Sequence, residues 1–109
     1  MAQEAKIEKY LCGRVKMLGG EVRKVKWIGR RGAPDRLVML PQTWIRYRDY
    51  PNAEVGDFPP RTIWVEVKAP GEVPEPHQAR EHARMRAMGQ RVEVIDSMEG
   101  VDALLGEFQ

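Results

Sequence analysis

Residues 61–68, RTIWVEVK, constrain the fold of this chain more than any other segment. Their β-branched and aromatic side chains form a nearly unbroken run, which is typical of a strand that is buried on part of both faces. Such a strand needs other elements packed on both sides, and a chain of 109 residues can supply them within one domain. Glu66 and Lys68 stand two apart at the end of this run, so both side chains leave the same face of the strand.

The rest of the chain alternates helix and strand patterns. Ile7, Leu11, Val15 and Leu18 recur at helical spacing, which predicts an amphipathic helix over 3–18 that ends at a glycine pair. Further strands are predicted over 21–28, 37–40 and 91–95, and further helices over 77–88 and 98–108. Residues 42–60 are interpreted as a hairpin-like excursion or loop. The order predicts an α/β fold, with a mixed central sheet flanked by helices, as a single domain over 1–109.

The net charge of +2 conceals an uneven distribution. Residues 1–50 carry twelve Lys and Arg against five Asp and Glu, a net of +7, whereas residues 51–109 carry six against eleven, a net of −5. The basic half fits a surface that meets phosphate, although two ordinary solvated faces would give the same count. Charge alone therefore does not identify a function.

Cysteine content and the N-terminal sequence indicate where the protein works. Cys12 is the only cysteine, which excludes an intrachain disulfide and a cysteine-based zinc site, and we expect it to be a packing residue. The first ten residues are charged and do not resemble a signal peptide, and no apolar run is long enough to cross a membrane. We expect an intracellular, cytoplasmic protein.

Two acids and a lysine form the constellation with the clearest chemistry. Asp35 stands where a Gly/Pro turn enters a short apolar strand, and Glu66 and Lys68 end the longest one. Two carboxylates that converge from neighbouring strands would form an oxygen-rich site for Mg²⁺ or Mn²⁺. Lys68 could hold an attacking water and neutralise charge in a phosphoryl-transfer transition state. The alternative is a turn Asp beside a solvent-facing Glu–Lys pair, and the strand's apolar character weighs against it.

These residues belong to a longer ordered pattern. It consists of the turn at 32–36 (GAPDR), the strand end at 65–71 (VEVKAPG), and Gln78 followed four residues later by His82. The pattern resembles the VRR-NUC (virus-type replication-repair nuclease) family of the PD-(D/E)xK nuclease superfamily, and the likeness extends over nearly the whole chain. Segment 42–60 departs from it by its length, which leaves the loops near the site undefined.

The resemblance implies roles for individual residues. Asp35 and Glu66 would be metal ligands, with the carbonyl of Val67 as a third, and Lys68 would be the catalytic lysine. Gln78 would lie near the metal or the substrate phosphate, or would be only a polar residue at a helix start. A further acid is expected from the first helix, with Glu4 preferred over Glu8, because Glu4 lies one turn before Ile7. His82 fits the pattern, but we interpret it as structural.

The resemblance also implies DNA as the substrate. Basic residues around the centre are expected to contact backbone phosphates, namely Lys24, Lys26, Arg30, Arg31, Arg36, Arg80 and Arg84. Trp27, Trp44 and Trp64 are interpreted as core or interface residues. Family members resemble Holliday-junction resolvases, which implies a DNA-repair nuclease of phage or prophage origin that cuts four-way junctions as a homodimer.

Three alternatives remain open at this point. The protein could be another PD-(D/E)xK nuclease, such as a flap or restriction-type enzyme. It could be a catalytically inactive DNA-binding module. It could also be a small oligomerising structural protein in which the Glu-x-Lys pair arose by chance.

Overall fold

A computed structural model describes residues 3–41 and 61–108. They form three helices and four strands in the order α1 (Gln3–Met17), β1 (Glu21–Lys24), β2 (Arg36–Met39), β3 (Thr62–Val67), α2 (Pro76–Ala87), β4 (Val92–Ile95) and α3 (Met98–Gly106). This confirms the predicted order of elements, with most ends shifted by one or two residues. The interpretation of segment 42–60 as an excursion, and that of Trp44, lie outside the described residues.

The strands form one mixed sheet in the order β1-β2-β3-β4, which confirms the predicted α/β class. β1 and β2 pair antiparallel, as do β2 and β3, whereas β4 runs parallel to β3 after the connection through α2. In the β2–β3 register, Arg36 is opposite Val65. One further step along the same register brings Asp35 opposite Glu66. The strand pairing therefore makes these two acids neighbours.

The main hydrophobic core lies between the sheet and helices α1 and α3. Ile7, Leu11 and Val15 form the buried stripe of α1, as their spacing predicted. They pack with Ile63 and Val65 of β3. Because side chains alternate along a strand, this arrangement turns Glu66 toward the opposite side of the sheet, where its partner Gln78 belongs to α2.

Strand β1 is shorter than predicted and ends at Lys24 instead of Ile28. One more ladder bond follows, from the backbone N–H of Val25 to the carbonyl of Asp35 at 2.9 Å. The remaining residues up to Asp35 form the β1–β2 loop.

The packing role predicted for Cys12 is wrong, because this residue is exposed. It follows Leu11 directly on α1, and one helical step turns a side chain by about 100° away from the buried stripe. No helix within 3–41 or 61–108 is long and apolar enough to cross a bilayer.

Candidate active site

The site forms at the end of β3, where a polar pocket opens between α1, the β1–β2 loop and the start of α2. Its volume is about 190 Å³. The lining residues come from four separate parts of the chain: Glu4, Glu8, Asp35, Arg36, Glu66, Val67, Lys68 and Gln78. The pocket thus brings together all the residues for which sequence analysis predicted a metal-binding or catalytic role.

Gln78 connects the two functional groups of the Glu-x-Lys pair. Its amide nitrogen donates to Glu66 Oε1 at 2.7 Å, and its amide oxygen accepts from Lys68 Nζ at 2.8 Å. The same oxygen accepts from the backbone N–H of Glu75 at 2.9 Å, which forms half of the capping box of α2. Gln78 is therefore both a helix-capping residue and a bridge between the carboxylate and the amine. Of the two alternatives left by the sequence, the polar residue at a helix start is confirmed by the capping box, and a place near the metal or the substrate phosphate stays a prediction.

Gly32 allows the loop that carries Asp35 to approach the start of α2. Its φ angle is +87°, a conformation that side chains disfavour. A Cβ atom at this position would lie 2.9 Å from the carbonyl oxygen of His77 and 3.2 Å from the Cα of Gln78. Both the backbone conformation and the contact distance therefore require glycine in the G-x-P-D turn.

Arg36 lies inside the pocket, and only 13% of its side chain is exposed. Its guanidinium contacts Glu8 Oε1 through Nε at 2.7 Å and through Nη2 at 2.6 Å, and Nη1 lies 3.0 Å from Asp35 Oδ2. The DNA contact predicted for Arg36 stays a prediction. Its donors are directed at two carboxylates of the site, where it ties α1 to Asp35.

The same ion pair separates the two candidate acids of α1. Glu8 is bound to Arg36, whereas Glu4 pairs with no other residue of the described ranges and faces the pocket. Glu4 also lies close enough for its negative charge to raise the pKa of Glu66. The geometry thus leaves Glu4 as the helix carboxylate that is available to a ligand.

The pocket concentrates negative charge on a buried carboxylate. Four carboxylates and two cationic groups line it, a formal net charge of −2. Burial, followed by the charge of Asp35, raises the pKa of Glu66 to about 7 from an ordinary 4.5, while Lys68 opposes the shift. At neutral pH, this carboxylate is thus close to half-protonated in the absence of a further cation.

These features fit a divalent cation. An ion of charge +2 would balance the pocket and would relieve the repulsion that raises the pKa of Glu66. The donors are hard oxygen atoms, of the kind that Mg²⁺ and Mn²⁺ prefer. Within the described residues, no three His, Cys, Asp or Glu side chains already lie together as a preformed metal cage. Backbone carbonyl and water ligands would have to complete the coordination shell, as is usual for Mg²⁺.

The remaining basic residues predicted to contact DNA are all partly or fully exposed. Lys24, Lys26 and Arg31 lie on β1 and the β1–β2 loop, and Arg80 lies on α2. Arg30 and Arg84 are also exposed, but both pair with Glu81, at 3.3 and 3.0 Å. Among the described residues, the first four have no ion-pair partner, whereas Arg30 and Arg84 share Glu81.

Glu81 is a residue that sequence analysis missed. Its side chain is 5% exposed, and it joins the β1–β2 loop to α2 through its two arginine partners. Nothing in the local pattern of α2 distinguishes it from a solvent-facing acid. Its position three residues before Arg84 was the one available signal, since that spacing permits an ion pair on a helix.

His82 is buried, as its structural interpretation predicted. Trp27 is exposed and Trp64 half-buried, so neither is a core residue, and an interface role for them stays a prediction. His82 is 1% exposed, and burial lowers its pKa, so the imidazole is neutral at pH 7. Trp27 and Trp64 pack against each other with ring centroids 5.1 Å apart. The indole N–H of Trp27 donates to the carbonyl of Pro34 at 2.8 Å, next to Asp35.

Comparisons with known proteins agree with this description. No family model matches the chain. A curated protein named "Putative nuclease p44", from Acyrthosiphon pisum secondary endosymbiont phage 1, is 43% identical over 99 residues, which cover 91% of this chain and 88% of that protein. A solved structure described as a VRR_NUC domain has a TM-score of 0.75 and 37% identity, with all of both chains covered. The chain therefore belongs to the VRR-NUC family of the PD-(D/E)xK nuclease superfamily.

Proposed function

We propose that this protein is a metal-dependent, structure-selective DNA endonuclease that hydrolyses phosphodiester bonds, with the four-way Holliday junction as its substrate. The observation that carries the proposal is the convergence of Asp35, Glu66 and Lys68 in one polar pocket, with Gln78 bonded to both members of the Glu-x-Lys pair. An idle surface ion pair would not need a half-buried glutamine to join it to a helix end.

Asp35, Glu66, Glu4 and the carbonyl of Val67 would hold Mg²⁺ or Mn²⁺. When bound, the ion would polarise the phosphate and lower the pKa of a water ligand. The carboxylates supply the negative charge that selects a cation at this position. Arg36 lowers the net negative charge of the pocket, because it pairs with Asp35 and Glu8.

Lys68 supplies the amine of the reaction. Its hydrogen bond to Gln78 fixes the direction of Nζ, so two of its three N–H donors remain for an attacking water and a phosphate oxygen. Hydrolysis adds the water oxygen to phosphorus and breaks one P–O ester bond, and negative charge builds up on the phosphate oxygens in between. A fixed ammonium group at that position stabilises this charge without having to reorganise.

The choice of a branched substrate rests on the resemblance to junction resolvases. A four-way junction has two-fold symmetry, and a C2 homodimer would present two pockets that match it. Flap or restriction-type cleavage within the same superfamily is the alternative. A DNA-binding module without activity is a further one, and it predicts binding that is unchanged by EDTA and no cleavage with any divalent ion.

Cleavage of a panel of synthetic DNAs tests the proposal. A four-way junction, a flap and a linear duplex are incubated with Mg²⁺ or Mn²⁺, and light scattering gives the oligomeric state. We expect preferential cleavage of the junction, and we expect Lys68→Ala to fold and bind DNA but to cut at least about a hundredfold more slowly. Lys16→Ala is the matched control, since Lys16 is exposed near the other end of α1 from Glu4. Wild-type rates in Lys68→Ala would remove the lysine from the mechanism.

A further inference from the structure

Ile28 in the β1–β2 loop is 92% exposed, more than any other large hydrophobic residue of the described ranges. Leaving an isoleucine in water forgoes about 1.5–3 kcal/mol of burial energy. Single exposed apolar residues are common on protein surfaces and need no explanation by themselves. The surroundings of Ile28 are what distinguish it.

The residues on both sides of Ile28 are anchored to the body of the protein. Trp27 packs on Trp64 and donates to the carbonyl of Pro34, and Arg30 pairs with the buried Glu81. The loop between these anchors is thus held at both ends. Ile28 projects from a fixed support and not from a loose chain end.

The loop and the strand before it are also strongly basic. Residues 22–34, which include most of β1 and the loop as far as Pro34, contain five Lys and Arg and no acid. Lys24, Lys26 and Arg31 are exposed beside Ile28. This charge complements a phosphate backbone. It disfavours contact of the loop with the same loop of a second copy, because two like-charged loops would then meet.

The loop lies close to the proposed catalytic centre. Ile28 follows Trp27, whose indole touches the carbonyl of the residue before Asp35. The path from the Cα of Ile28 runs through Trp27, its indole side chain, the hydrogen bond and the Pro34–Asp35 peptide. The summed lengths place the Cα atoms of Ile28 and Asp35 at most about 15 Å apart. That distance is about four base steps along one DNA strand.

We propose that Ile28 is a wedge that enters an unstacked base step of branched DNA, close to the phosphate that is cut. The inference rests on the proposed function, since it needs DNA in the adjacent pocket. Apolar side chains inserted between bases are a known means of binding kinked DNA, and the stacking energy lost is smallest where the step is already open. A branch point offers such a step, and an intact duplex does not. The wedge therefore contributes to selection of the branched substrate.

Fluorescence of a base analogue tests the wedge without any cleavage. A four-way junction carries 2-aminopurine at the branch point, and binding is measured with Ca²⁺ in place of Mg²⁺, with gels to show that the DNA stays intact. We expect wild-type protein to raise the fluorescence several-fold, Ile28→Leu to retain most of this rise and Ile28→Ser to lose most of it. We also expect Ile28→Ser to bind the junction about tenfold more weakly and the linear duplex unchanged.

Met88→Ser is the matched control, because Met88 is 70% exposed beyond the far end of α2 from Gln78. Unchanged fluorescence and junction affinity in Ile28→Ser would overturn the wedge. So would conversion of a wild-type dimer to a monomer by Ile28→Ser, which would assign Ile28 to contact between two copies. A junction that is bound with the expected fluorescence but never cut with Mg²⁺ or Mn²⁺ would refute the nuclease proposal and leave the wedge standing. Absence of any DNA binding would refute both.

Discussion

Two buried glutamates of this protein, Glu66 and Glu81, have opposite surroundings. The side chain of Glu81 is 5% exposed and has two arginine partners, Arg30 at 3.3 Å and Arg84 at 3.0 Å. Glu66 is 9% exposed and receives a hydrogen bond from the uncharged amide of Gln78, while Asp35 and Glu4 add negative charge nearby. Among the described residues, no cationic group lies within ion-pair distance of Glu66. Within 3–41 and 61–108, Glu81 is thus paired with cationic side chains of the protein, whereas Glu66 is not.

The difference fits a structural role for Glu81 and the metal-binding role proposed for Glu66. A buried carboxylate is costly unless it is paired, and Glu81 is paired by the chain itself. Glu66 is not paired within the ranges that the structure describes, and its pKa is therefore raised to about 7. A cost retained in this way is expected at a site built for something outside the chain, and here a divalent cation would offset it.

The largest expected contrast is in catalysis. Glu66→Gln should lower the rate of DNA cleavage by roughly a thousandfold, because loss of this proposed metal ligand would remove several kcal/mol of transition-state stabilisation. Glu81→Gln should lower it by less than about tenfold. Single-turnover cleavage of the junction with Mn²⁺ measures both. Equal losses in the two variants would mean that the comparison does not separate the roles of the two acids.

In the second contrast, Glu66→Gln and Glu81→Gln should change the free energy of unfolding of the metal-free protein in opposite directions at pH 8. The folded pKa of Glu66 is raised, so the folded state binds a proton more tightly than the unfolded state, and stability falls as pH rises from 4.5 through 7. The difference of about 2.5 corresponds to about 3 kcal/mol. Glu66→Gln should therefore stabilise the protein by up to that amount at pH 8, and most of the gain should vanish by pH 5.

Glu81→Gln should act in the opposite direction. It removes the charge-assisted hydrogen bond from Arg84 and the ion pair with Arg30, and should cost about 2 kcal/mol at pH 8. Urea unfolding in EDTA measures both variants under the same conditions. If Glu66→Gln also destabilises the protein at pH 8, its carboxylate is better accommodated than its surroundings indicate.

The third contrast is the pH dependence of metal binding. Bound metal requires the ionised form of Glu66, so at pH 6 a proton must be displaced from a group whose pKa is about 7. The apparent Kd for Mn²⁺ should be about tenfold weaker at pH 6 than at pH 8. Isothermal titration calorimetry of wild-type protein tests this, and Glu81→Gln should show the same dependence. A Kd that does not change with pH would place the cation away from Glu66.

The smallest effect is expected from removing one arginine of the Glu81 pair. Arg84 is 59% exposed, and Arg30 remains after Arg84→Ala. The loss should be below about 1 kcal/mol in urea unfolding, because exposed ion pairs contribute little. A cost as large as that of Glu81→Gln would show that the two arginines do not share the carboxylate.

The sequence predicts the parts of the fold and site that depend on local periodicity. The α1 stripe at Ile7, Leu11 and Val15, and the projection of Glu66 and Lys68 from one face, follow from helical and strand repeats alone. The meeting of Asp35 with Glu66 requires only the pairing of two neighbouring strands.

The features that sequence analysis did not predict depend on contacts between distant parts of the chain. Arg36 pairs with Glu8 across 28 positions, and Arg30 with Glu81 across 51, and no local pattern encodes either choice. A basic residue beside an acidic motif fits DNA contact and an internal ion pair equally well. The packing of α1 against the sheet is what brings Glu8 to Arg36.

The double role of Gln78 has a consequence for the thermal behaviour of the enzyme. One amide closes the first turn of α2 and also orients the amine of Lys68. Fraying of that turn, a local event that needs far less energy than global unfolding, would release the lysine at once. Warming should therefore inactivate the nuclease several degrees below the temperature at which the fold melts. The stability of the first turn of α2 would set the upper temperature limit of activity.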